Sequence, residues 1–156
     1  MLRRHCVALF ATGLLPLRAF AHHGWSSFDL DKPIYLEGRA DKVAWRNPHA
    51  EFKLQVAPDL RVPADLPGRK PPAQSAGIDG AKIFAAARVP TRRDKVWEIE
   101  LAPLTRMEAW KVGEIKQGQT VALIGYPLSG AQGEAVLRAE YLFVDDRIFG
   151  LRSSPA

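Results

Sequence analysis

Paired imidazoles at His22 and His23, and a third at His49, are the side chains of this chain best suited to bind a metal ion. The fourth histidine, His5, lies in a stretch that reads as a secretory signal. Every histidine of the expected mature chain therefore falls in one of two short motifs, His22-His23-Gly24-Trp25 and Asn47-Pro48-His49. Imidazole is a common ligand for zinc, copper, nickel and iron. Cleavage after Ala21 would make His22 the first residue, with a free amine beside its ring. That pair and the ring of His49 would supply three nitrogens, as divalent copper favours, in an arrangement that resembles the histidine brace of exported copper proteins. A second geometry uses the amine, a deprotonated backbone amide and the His23 ring. Copper is the expected ion, with zinc or another divalent metal as the alternative.

The residues around these motifs suit the task. Pro48 fixes its own backbone angle and restrains Asn47, so His49 is held in one direction at the mouth of a strand. Asp29 or Glu51 can orient an imidazole from behind. Trp25 and Trp45 flank the two motifs and can wall a site, although burial is the ordinary fate of tryptophan. Plainer readings stand beside the metal: a terminal His-His pair is often an unordered tail, His49 can close a turn, and the two motifs can associate without metal.

The elements that must position these groups begin with residues 1–21. Arg3 and Arg4 precede a twelve-residue apolar run, Cys6 to Leu17, and Ala19 and Ala21 supply small residues for cleavage. The run is too short for a transmembrane helix, and no later segment is long and apolar enough. The expectation is a periplasmic or secreted protein of residues 22–156. Removal of Arg3, Arg4 and Arg18 would leave 19 basic against 17 acidic residues. So small an excess argues against a nucleic-acid partner. The single cysteine, Cys6, leaves as well, so no disulfide or thiolate chemistry is expected of the mature chain.

The remainder reads as one mainly β domain. Ile34 to Trp45 is β-rich, with a change of apolar phase near Asp41 that suggests a bulge. His49 to Val56 alternates cleanly, Ala50, Phe52, Leu54 and Val56 facing one way and His49, Glu51, Lys53 and Gln55 the other. Residues 57–94 hold six of the 12 prolines and little periodicity. They read as a Pro-rich, long mobile insertion loop, with one short helix from Asp79 to Arg88 as an option. Lys95 to Leu101 resumes as a strand with Trp97 and Ile99 inward. Pro103 opens a two-turn helix with Leu104, Met107 and Trp110 on one face. Thr120–Tyr126 and Ala135–Val144 are further strands, and a short extended tail follows from Ile148 to Leu151. This order predicts a small OB-fold-like, five-stranded antiparallel barrel with one short helix between strands 3 and 4. An open antiparallel sheet capped by the helix is the alternative.

These motifs, in this order, resemble the DUF6152 family of small exported bacterial proteins of unknown function. The likeness is carried by His22-His23, Phe28-Asp29, the strand containing Gly38, Trp45-Arg46-Asn47-Pro48-His49, Trp97-Glu98-Ile99-Glu100, Leu104-Thr105-Arg106, Gly118-Gln119-Thr120-Val121 and a turn at Gly125-Tyr126-Pro127. It spans most of residues 19–144 outside the insertion. It implies an exported β-rich domain and no activity. The chain departs from the pattern in its insertion and in Asp145-Asp146-Arg147, where an Asp-Gly turn is expected.

The function expected is binding, with a metal ion as ligand and another envelope protein as a further candidate partner. The alternative is a metal-free OB-type module for a glycan, peptide or envelope protein, with the 57–94 loop supplying contacts. A copper redox enzyme ranks third, by analogy alone. No catalytic residues are assigned: there is no Gly-rich phosphate loop, Ser129-Gly130 forms no nucleophile elbow, and serine chemistry with His49 lacks a third partner.

Overall fold

Alternation along Glu51–Val56 makes β2, with Phe52 and Leu54 buried and Lys53 and Gln55 exposed. The structure is a computed structural model that describes residues 24–130 and 133–156. His22, His23 and the expected signal lie outside the described residues. β1 (Ile34–Ala44) turns Ile34, Leu36 and Ala40 inward, and its register slips between Asp41 and Ala44. The expected bulge is there, with Lys42 in the left-handed region at φ 49°. β3 (Val96–Glu100) buries Trp97 and Ile99. The helix α2 (Leu104–Ala109) follows Pro103 and buries Met107, while Leu104 and Trp110 lean on the core from its edge.

β4 (Thr120–Pro127) and β5 (Val136–Val144) complete the barrel. Gly125-Tyr126-Pro127, read as a turn, lies within β4. Gly125 is needed there: a Cβ at this position would collide with the carbonyl oxygen of Arg138 on β5. β6 (Arg147–Gly150) pairs with β5 through the two-residue turn Asp145-Asp146. Both aspartates have positive φ, 50° and 59°, so they take the mirror-image turn that usually carries Asp-Gly.

The strands run β3-β2-β1-β4-β5-β6, and β3 also pairs with β5, closing a ring of five with β6 added outside. The OB-like order and the helix between β3 and β4 are as expected. The barrel is mixed, however, not antiparallel: β3 and β5 run parallel, while the other pairings are antiparallel. The reason is geometric. Directions cannot alternate all the way round a ring with an odd number of members, so one pairing must be parallel.

The insertion is more structured than a long mobile loop. It contains a 3-10 turn at Leu66–Gly68 and the helix α1 (Gly80–Ala86), whose first turn is capped by Asp79 accepting from the Lys82 amide at 3.0 Å. Leu66 and Phe84 are completely buried against Tyr35, Ile124, Tyr141 and Phe143, on the outer face of the barrel. Two well-placed apolar side chains pin a segment whose composition reads as loop. No helix among the described residues is long and apolar enough to cross a membrane.

Candidate functional site

His49 stands just before β2, half-buried, after a cis Asn47-Pro48 peptide and ahead of the ladder bonds that Ala50 makes with Leu101 and Ala102. Register then sets its neighbours. Glu51 on β2 lies beside Glu100 on β3, and Glu100 beside Arg138 on β5. Arg138 donates from Nη1 to Glu100 Oε2 at 3.1 Å, and its Nη2 lies 3.4 Å from His49 Nε2. A guanidinium has no acceptor. The contact is a hydrogen bond in the tautomer that leaves Nε2 free to accept, with the proton on Nδ1. Arg138 is only 6% exposed. Burial draws its pKa down and Glu100 pulls it back up.

The arm that begins at Gly24 lands on the same guanidinium. Trp25, in a 3-10 turn at Trp25–Ser27, has its ring 5.2 Å from Arg138 Cζ and 4.0 Å from Arg152 Cζ. It meets Tyr126 edge-on at 6.4 Å. Phe28 is buried with Tyr126 and Val136, and Asp29 N–H donates to the Pro127 carbonyl at 2.9 Å, so the arm is tied to the barrel. Arg152 in turn pairs with Glu140 at 2.6 Å, and Glu140, fully buried, also accepts from Gln74 Nε2 at 2.9 Å.

Of the residues singled out in the sequence, Trp25 and His49 are thus joined through Arg138, and Glu51 lies one strand from Glu100. The others are elsewhere. Asp29 pairs with Lys32 at 2.7 Å, Trp45 packs against the barrel core, and Asn47 is exposed. Among the described residues no group of three His, Cys, Asp or Glu side chains is arranged to hold a metal ion.

Residues 12–61 match DUF6152, a family of unknown function. The DUF6152 match takes in both histidine motifs, β1 and β2, and stops at the start of the insertion. Arg138, Glu140 and Arg152 lie beyond it. No curated protein and no solved structure matches this chain.

Reasoning from sequence missed Arg138, Glu140, Arg152 and Gln74. One signal was present. Arg138 and Glu140 interrupt an otherwise apolar strand, Val136 to Val144. A run of that kind marks burial on both faces, and charges inside it need partners.

Proposed function

We propose that this is a small exported binding protein that takes a metal ion, copper first among candidates, through a mature N-terminal His22 and through His49. One observation supports the reading: Trp25 and His49 meet the same guanidinium, that of Arg138. His22 is three residues from Trp25, and three residues of chain span at most about 10 Å. The reading has the free amine and ring of a mature His22 bridge that span to the third imidazole. His49 is suited to the role because its Nε2 faces Arg138, a group that can only donate, and neutral imidazole is the form that binds metals. A metal on Nε2 would take the place of Arg138, which keeps Glu100 as its partner. Export rests on the pattern of residues 1–21, and an envelope protein that delivers or receives the ion is the partner this reading implies.

The test is copper titration of the chain beginning at His22, against a version with one extra residue in front. Tight one-equivalent binding that is lost on adding the residue, and lost again in His49→Ala, is the expected result. Binding unchanged in His49→Ala would overturn the brace. A metal-free module acting through the β2–β3 face finds less support. The outward residues there are Glu51, Lys53, Gln55, Val96, Glu98 and Glu100, and none offers an aromatic ring on which a base or sugar can stack.

A further inference from the structure

A cleft whose lining does not include His49 opens on the outer face of the barrel, and what it offers is independent of the metal reading. One transverse row of the sheet, Glu37–Ala122–Phe143–Ile148, crosses β1, β4, β5 and β6 by direct register. The next row, which includes Tyr35, Ile124 and Tyr141, is covered by the insertion through Leu66 and Phe84. Phe84 and Arg69 also reach the Phe143 ring, at 5.7 and 6.0 Å, so that Phe143 lines the cleft with only 9% of its surface exposed. The insertion's edge at Pro63 and Arg69 forms one wall of this cleft of about 520 Å³, and the Asp145-Asp146 turn with Arg147 forms the other. That size suits a small organic ligand, for which pockets of about 300–1,000 Å³ are usual.

The cleft has an apolar floor and a polar rim. Ala122, Phe143 and Ile148 make the floor. On the rim, the Tyr35 hydroxyl donates to Glu37 Oε2 at 2.7 Å and so fixes that carboxylate. Arg69 is held by two bonds to Asp65, at 2.9 and 3.2 Å. Arg147 lies over the Phe149 ring at 4.6 Å. Arg69 and Arg147 share the lining with Glu37, Asp145 and Asp146, so neither an anion nor a cation meets a field of one sign. A ligand with an apolar face and an edge of hydroxyls matches this arrangement, since hydroxyls both donate and accept. We propose that the cleft between the insertion and the β5–β6 turn binds a neutral saccharide unit, its C–H face on Ala122, Phe143 and Ile148 and its hydroxyls on Glu37 and Arg147.

The experiment is a titration of the chain beginning at His22 with maltose and, separately, N,N′-diacetylchitobiose, followed by methyl NMR. The expected result is that at least one sugar shifts the methyl signals of Ala122 and Ile148. Glu37→Gln and Arg147→Ala should each weaken that binding by about tenfold, the effect of losing one hydrogen bond to a charged group. Arg147 is exposed, so the variant keeps its fold, and unchanged methyl signals in the barrel interior check this. Three results would overturn the proposal: neither sugar moves the two methyls; both variants bind as the parent does; or inorganic phosphate moves the same methyls while the sugars do not.

Discussion

Glu140 is a carboxylate with no exposure, held by Arg152 at 2.6 Å and Gln74 at 2.9 Å. The energetics of such a group are asymmetric. While its partners remain, the pair contributes little net stability; when one goes, a charge is left buried without its counter-ion. Arg152→Ala should therefore lower unfolding free energy by about 3 kcal/mol, read from chemical denaturation. Arg152 also lies over Trp25, so the same variant should change the tryptophan emission of the arm. A loss under about 0.5 kcal/mol, as at an ordinary surface position, would show that solvent reaches Glu140. Arg138 differs in having a carboxylate on one side and an imidazole on the other, which makes it the residue through which the arm and His49 are linked.

The insertion has a clear division of labour between its elements. Its prolines and exposed polar residues read as loop, and so they behave locally, but α1 and the turn at Leu66–Gly68 deliver two buried side chains to the barrel's outer face. Phe84 packs edge-on against Tyr141 at 4.9 Å and tilted against Phe143 at 5.7 Å. Phe84→Ala should cost about 3–5 kcal/mol. Lys70→Ala, at an exposed site in the same segment, should stay within about 0.5 kcal/mol. Equal effects from the two, measured by denaturant midpoint, would mean that the insertion does not act as a cap. Composition did not reveal the cap because it averages over thirty-eight residues, and packing is decided by two of them. The sequence did carry the start of α1, since Asp79 is a good capping residue at the right place.

Over the whole molecule, three segments remote in sequence converge on the outer face of β5: the arm at Trp25, the insertion, and the tail from Leu151 onward. The tail is gripped by α2, with Arg106 Nη1 donating to the Leu151 carbonyl at 3.0 Å and Trp110 Nε1 to that of Ser153 at 2.7 Å. This convergence buries all of the chain's tyrosines, Tyr35, Tyr126 and Tyr141. Burial is the main cause in each case of a raised hydroxyl pKa; Glu37 adds to it at Tyr35, Glu140 adds to it at Tyr126, and Tyr126 is pushed up to about 12. The unfolded chain would release these protons near 10. A group whose folded pKa is raised contributes stability that is whole below the unfolded value and is lost as pH climbs through the folded one. Stability should therefore fall between about pH 10 and 12, and Tyr126→Phe should make that fall shallower. Denaturation midpoints across the range, with phenolate absorbance, give the check; a fall of the same steepness in the variant would count against it.

What the sequence determined by itself was everything encoded in short-range pattern. Period-two burial at Phe52 and Leu54 and at Trp97 and Ile99, the bulge after Asp41, the proline that opens α2 and the element order of an OB-like barrel all follow from local sterics and from which side chains avoid water. The place of His49 at the mouth of β2 was likewise legible. The tertiary structure alone decided that β3 and β5 run parallel, because that depends on how many strands close the ring. It alone brought Trp25 and His49 to one guanidinium, since register across two strand pairings sets Glu51, Glu100 and Arg138 in line. It alone decided which segments cover the outer face of β5. The apolar run around Arg138 and Glu140 called for partners, but only the folded chain supplies them: Trp25 of the arm over Arg138, and Arg152 of the tail and Gln74 of the insertion on Glu140.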